Sequence, residues 1–213
     1  MVAISYDATL VLDLAAAGAR FGSRTVLHPV SLRVQRATTC LVHGANGSGK
    51  TTLLRLCAGL LSPTGGERWA SGPSLYLRPG SGARRRQTVE EALETARTLS
   101  GHGRARLGPA LEAAMLSPLR KRRVETLSSG QRSRLVIGIA LVAAPALVCL
   151  DEPSAHLDDE GLSIVRAGVR QLAAVGTAVL IATHDRDLLA DRPDARLLVS
   201  DGAVTDIGCS GVR

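Results

Sequence analysis

Gly44-Ala45-Asn46-Gly47-Ser48-Gly49-Lys50-Thr51 decides how the rest of the chain is read. It follows the spacing Gly-x4-Gly-Lys-[Ser/Thr], and its flanks are those such a loop needs. Upstream, residues 38–42 form a short apolar run with β-branched members that reads as a buried strand. Downstream, residues 52–61 carry apolar side chains at helical spacing and stop near Ser62-Pro63. A strand, a glycine loop and a helix start aim several backbone N–H groups at one point. The helix dipole adds positive potential there, so the point suits a phosphate chain. Lys50 is placed to reach β- and γ-phosphates and the Thr51 hydroxyl to ligate Mg²⁺, with Thr52 next in the helix.

Composition sets the frame around this loop. With 213 residues the chain has enough length for one substantial core and a small insertion. Hydrophobic residues make up 45% but aromatics only 2%, so the core is built from Leu, Val, Ile and Ala. The N-terminus lacks a basic region followed by an apolar one, which argues against a secretory signal. The longest apolar run, residues 135–150, is interrupted by Gly138 and Pro145. A spanning helix needs about 20 apolar residues, so this run reads as buried helix, turn and buried strand. Cys40, Cys57, Cys149 and Cys209 are scattered with no Cys-x-x-Cys spacing, the pattern of buried free thiols in a reducing compartment. Net charge is +7, with runs at Arg84-Arg85-Arg86 and Arg120-Lys121-Arg122-Arg123. Such runs serve an anionic partner or are simply solvated faces, and charge alone does not choose.

Along the chain, residues 9–34 alternate apolar and polar in short segments around a Gly22-Ser23 turn, predicting antiparallel strands. Phe21, the only phenylalanine, stands just before that turn, where a ring could stack on a nucleobase or fill core. Residues 63–74 are rich in Gly, Pro and Ser and read as loop, and 75–77 as a buried strand. Two helices are expected in the next fifty residues, 88–99 with Thr88 as cap and Glu91 three residues on, and 107–116. Leu127-Ser128-Ser129-Gly130-Gln131 then leads into a helix at 132–144, its small residues suited to a helix N-terminus that presents N–H groups to phosphate. Residues 146–150 form a strand that ends in Asp151-Glu152-Pro153. Two carboxylates at the end of a buried strand are costly without a task. In a phosphate-loop protein the first holds Mg²⁺ and the second orients or deprotonates the attacking water. A helix at 159–175, a strand at 178–182 ending in Thr183-His184-Asp185, and strands at 196–199 and 203–206 complete the pattern. Strands alternating with helices predict a mostly parallel sheet with ligands at the strands' carboxyl ends.

Together these pieces resemble the ATP-binding-cassette (ABC) ATPase family over nearly the whole chain. Gly44 to Thr51 resembles its Walker A loop, and Leu127 to Gln131 its Leu-Ser-Gly-Gly-Gln signature. Residues 146–151 resemble Walker B, with Glu152 in the place of the catalytic carboxylate. Ser154 to Asp158 matches the D-loop, His184 the switch histidine, and Phe21 the aromatic that stacks on adenine. The resemblance implies an α/β phosphate-loop cassette with a mostly parallel sheet. An antiparallel N-terminal β part completes a core of residues 1–76 and 127–213, and a small helical subdomain spans 77–126. It also implies ATP and Mg²⁺ as cofactors and a second cassette paired head to tail. Walker A of one copy and Ser128, Ser129, Gly130 and Gln131 of the other would then enclose each ATP.

Two positions depart from the family pattern. Ser129 replaces the first signature glycine, and Arg78-Pro79-Gly80 stands where a glutamine usually follows the 75–77 strand, with Gln87 further on. Function divides two ways. The first is the ATPase subunit of a transporter, peripheral on the inner face of the cell membrane, with a separate transmembrane permease as partner and no DNA. The alternative is a soluble ABC-F-like ATPase acting on ribosomes, which residues 128–133, 151–158 and His184-Asp185-Arg186 resemble and which the basic charge suits. That branch normally carries two cassettes joined by a helical linker, and this sequence shows one.

Overall fold

The structure is a computed structural model that describes residues 8–101, 106–155, 157–184, 188 and 193–208. The described residues open with β1 (Leu10–Phe21) and β2 (Arg24–Gln35), an antiparallel hairpin turning at Gly22-Ser23. After β3 (Thr39–His43) come the glycine loop and α1 (Lys50–Cys57), then β4 (Gly65–Ala70) and β5 (Ser74–Leu77). A helical stretch follows with α2 (Val89–Ser100), α3 (Leu107–Ala113) and two 3₁₀ turns before α4 (Ser129–Ala143). The chain closes with β6 (Leu147–Asp151), α5 (Asp159–Ala174), β7 (Ala178–Ala182), β8 (Ala195–Ser200) and β9 (Ala203–Gly208).

Among the described residues the strands form two sheets, ordered β2-β1-β4 and β5-β6-β7-β3-β8-β9. In the larger one β5, β6, β7, β3 and β8 run parallel, and β9 returns antiparallel beside β8. Asp151 and Val42 both pair with Ala182, so the carboxyl ends of β6, β7 and β3 lie level.

Side chains alternate across this sheet with period two, and both faces are buried. Leu41, Val148, Leu150, Val179 and Ile181 face one core with α2, α3, α4 and α5. Cys40, Val42, Leu147, Cys149 and Leu180 face the other, where α1 is held under the antiparallel sheet by Leu12, Leu14, Leu32 and Val34. Leu53, Leu54 and Leu56 of α1 are fully buried there, each contributing on the order of 2 kcal/mol. That packing anchors the helix whose first turn closes the glycine loop. On the opposite face α4 and α5 approach at Gly168, where an added Cβ would sit 2.2 Å from Ile137 Cγ2.

Three sequence expectations change. Residues 63–74 are not all loop, because β4 pairs with β1 from Leu12↔Ala70 to Gly18↔Gly65. The Gly65-Gly66 pair hides this strand, yet Gly66 is required: at φ 74° an added Cβ would lie 2.1 Å from Ala16 O. Helix α4 starts at Ser129 rather than 132, and α3 stops at Ala113, three residues short of 116. Cys40, Cys57 and Cys149 are buried free thiols, and Cys209 lies outside the described residues. No helix among the described residues is long and apolar enough to cross a membrane.

Candidate functional site

The loop between β3 and α1 adopts a path open to glycine and few other residues. Gly44, Gly47 and Gly49 have φ of 152°, 78° and 115°. A Cβ on Gly44 would lie 2.2 Å from Val199 O, and one on Gly49 3.0 Å from Val26 O. β8 and β2 thus press the loop from behind, and Gly202 N donates to Ser48 O at 3.0 Å. Gly49 caps α1 without a side chain, so the first N–H groups of the helix stay available for an acceptor.

Lys50 is only 7% exposed and folds over the loop, its Nζ donating to Gly44 O at 2.8 Å and Ala45 O at 3.0 Å. The Ser48 hydroxyl is buried and has no partner in the structure. An orphaned hydroxyl beside a buried ammonium and open helix N–H groups fits an incoming phosphate oxygen.

Opposite the lysine, β6 delivers two carboxylates. Asp151 is 8% exposed, and its Oδ2 accepts from Thr51 Oγ1 at 2.8 Å and from the Tyr76 hydroxyl at 2.6 Å. Burial raises the Tyr76 phenol above its ordinary range, the Asp151 carboxylate adds to this, and Arg55 partly offsets it. The phenol therefore stays a proton donor at neutral pH. A hydroxyl and a carboxylate form an oxygen donor set of the kind hard divalent cations take.

Glu152 N continues the ladder to Ala182 O at 2.8 Å, but its φ of 51° swings the side chain off the strand. The carboxylate then meets His184 from β7's end twice, Oε1 lying 3.2 Å from the ring Nε2 and Oε2 accepting from the backbone N at 3.3 Å. Both side chains remain partly open to solvent, so the contact orients more than it stabilises. A carboxylate steered by an imidazole at the rim of a phosphate cleft can take a proton from water.

The cleft encloses about 350 Å³ and is lined by Asn46, Gly47, Gly49, Lys50, Thr51, Thr52, Asp151 and Glu152, with Arg24 and Val26 from β2. A larger cavity of about 440 Å³ lies at the β5 edge among Leu75, Leu77, Leu99 and Ile139, but it is apolar and holds none of these groups.

The structure therefore brings Walker A, Asp151, Glu152 and His184 together, and leaves other expected residues apart. Ser128, Ser129, Gly130 and Gln131 start α4 and do not line the cleft. Ser128 Oγ accepts from Gln131 N at 3.2 Å while Gln131 Oε1 accepts from Ser128 N at 3.1 Å, a reciprocal cap that leaves the serine O–H free to donate. Phe21 ends β1, is 53% exposed and pairs with Arg24 across the hairpin without lining the cleft. Of the D-loop, Ser154 Oγ and Thr183 Oγ1 lie 3.0 Å apart, Asp158 caps α5 by accepting from Gly161 N, and residue 156 lies outside the described residues. Arg78 is exposed, and Gln87 bonds to Arg84 N and Thr95 Oγ1. Sequence reasoning missed Tyr76, Arg24 and Val26. The strand pattern of 75–77 pointed to Tyr76's location, whereas nothing local marked the two β2 residues.

A family model described as "ABC transporter" matches residues 27–155. The cytochrome c biogenesis ATP-binding export protein CcmA of Cereibacter sphaeroides is 37% identical over 164 residues, covering 76% of this chain and 77% of that protein. The aliphatic sulfonates import ATP-binding protein SsuB of Pseudomonas entomophila is 34% identical over 202 residues, covering 86% of this chain and 71% of that one. Among solved structures, the dimeric post-hydrolysis state of the ATP-binding cassette MJ0796 bound to ADP and Pi superposes with a TM-score of 0.83. It covers 94% of this chain and 99% of that one at 21% identity, a likeness of fold.

Proposed function

This chain belongs to the ABC transporter family, and from that premise we propose that it binds and hydrolyses ATP as one of two paired cassettes that drive a membrane-spanning partner. The observation that carries the reading is the joining of Thr51 to Asp151, with Glu152 and His184 beside them at the strand ends. In this reading the loop N–H groups and Lys50 neutralise the phosphate chain, and Lys50 exchanges its two carbonyl partners for phosphate oxygens. Thr51 and Asp151 would hold a divalent cation, which supplies charge neutralisation on the β- and γ-phosphates. Glu152 accepts a proton from the water that attacks the γ-phosphorus, the bond to the ADP oxygen breaks, and His184 keeps the carboxylate aimed.

One copy leaves the γ-phosphate side open, since residues 128–131 do not line its cleft. The free Ser128 O–H and the α4 N-terminus of a second copy would close it, so closure depends on nucleotide and opening on hydrolysis. Residues 77–126 serve as the small helical subdomain, set on a core of 1–76 and 127–213 that includes this face. The working location is the inner face of the membrane beside a permease. The relatives include an importer and an exporter by name, so substrate and direction lie with that permease.

Lys50→Ala should lose ATP binding, whereas Glu152→Gln should bind ATP with Mg²⁺ and elute as a dimer in gel filtration. Glu152→Gln hydrolysing at the wild-type rate would remove Glu152 from its role. Lysate fractionation of Glu152→Gln with ATP tests the partner: recovery with a polytopic membrane protein supports the transporter. Recovery with ribosomes transfers the reading to the ABC-F-like alternative.

A further inference from the structure

The turn after β5 sends no side chain into the cleft. Arg78 closes this turn through its backbone, its N–H bonding to Ser81 Oγ and its carbonyl accepting from the same hydroxyl, each at 2.8 Å. Its guanidinium group belongs to an exposed residue, and Gln87 is committed to Arg84 and Thr95. What reaches Asp151 from this strand is Tyr76. Tyr76 pairs with Cys149 across the parallel β5–β6 ladder, so Asp151, two residues on, is its diagonal neighbour on the same face. That spacing lets a phenol, the longest uncharged donor available, cross to the carboxylate.

We infer that Tyr76 is a positioning residue that locks Asp151 for the divalent cation of the nucleotide, in place of a glutamine after β5. Three features carry this. Its hydroxyl and Thr51 Oγ1 both donate to Asp151 Oδ2, so two bonds from two different elements fix one oxygen of a nearly buried carboxylate. The ring is itself held, with the Arg55 guanidinium 5.6 Å from its centroid, one turn of α1 beyond Thr51. Finally, Tyr76 stands on the strand paired directly with β6, in register with Cys149 two residues before Asp151. The inference rests on the nucleotide reading above.

The test titrates Mn²⁺ into wild-type protein and Tyr76→Phe in the presence of ATP, reading bound metal by electron paramagnetic resonance. Binding of a fluorescent ATP analogue in EDTA is followed in parallel. Phenylalanine keeps the ring beneath the Arg55 guanidinium and removes the hydroxyl, with its bonds to Asp151 and Arg55. Loss of a group that orients a metal ligand weakens the metal by about tenfold or more, and we expect Tyr76→Phe to need about tenfold more Mn²⁺. Its metal-free nucleotide binding should match wild type, and Arg78→Gln should leave the Mn²⁺ titration unmoved. Equal Mn²⁺ affinity in wild type and Tyr76→Phe, or a shift in Arg78→Gln instead, overturns the assignment. A wild-type protein that fails to bind the nucleotide analogue overturns the underlying reading, which separates the two failures.

Discussion

Glu152 leaves β6 with φ at 51°, in the left-handed region that costs a residue with a Cβ on the order of 1 kcal/mol. The reward is geometric: the backbone stays in the ladder at Ala182 while the carboxylate turns to His184 and the cleft. Replacing Glu152 by glycine and by alanine separates the two parts. Both variants should lose hydrolysis, but Glu152→Gly should be the more stable by about 1 kcal/mol in urea unfolding, because glycine relieves the strain. Equal stability would mean that the turn stores no strain. Among the catalytic candidates this residue type was legible from Asp-Glu-Pro at a strand end. Its backbone conformation was not, since a positive φ is uncommon for any residue other than glycine.

At the scale of elements, α2 and α4 start alike. Thr88 Oγ1 accepts from Glu91 N at 3.2 Å while Glu91 returns a bond to Thr88 N, and Ser128 and Gln131 repeat the pattern. Both caps were readable, Thr88 with Glu91 by the capping-box spacing and Ser128 as a helix start, because a cap acts within one turn. Thr88→Ala and Ser128→Ala should each cost about 1 kcal/mol in thermal or urea unfolding. Only Ser128→Ala should also reduce ATP hydrolysis and nucleotide-dependent dimerisation, because its hydroxyl retains a free proton at the face offered to a second copy. An equal loss of hydrolysis in Thr88→Ala would reduce the Ser128 effect to helix stability. Strand β4 shows the opposite case, an element with no local signal that exists because β1 exposes a second edge.

For the whole molecule, two cores on either face of one sheet leave three thiols with no water. Burial pushes Cys57 up to about 12, and pushes Cys40 and Cys149 well above the ordinary thiol range. In the unfolded chain these thiols ionise near the ordinary thiol value of 9.0, while the folded protein keeps them protonated. The folded state thus binds more protons above that pH, and stability present below it falls as pH rises toward 12. Each thiol contributes a slope of up to about 1.4 kcal/mol per pH unit. Cys57→Ala should therefore lose stability less steeply than wild type between those limits in a melting series. Parallel slopes would place the alkaline sensitivity elsewhere. The same scale explains the basic runs: Val89 N on Arg122 O, Glu90 N on Arg120 O and Glu125 N on Arg85 O bring residues 84–86 and 120–123 onto one face. Glu90 and Glu125 pair with Arg120 and Arg123 there, and the other cations of the two runs are exposed.

The sequence by itself determined what short-range physics can specify. The phosphate loop between a strand and a helix, the capped helix starts, the β1–β2 hairpin and the acidic end of β6 each depend on residues within a few positions of one another. Only the tertiary structure decided that β4 joins the first sheet, that Tyr76 rather than Arg78 reaches Asp151, and that the signature stands apart from its own chain's cleft. Those outcomes depend on strand register and on which faces bury each other. Register is fixed by pairing residues far apart in the chain, and no local pattern of residue types carries it.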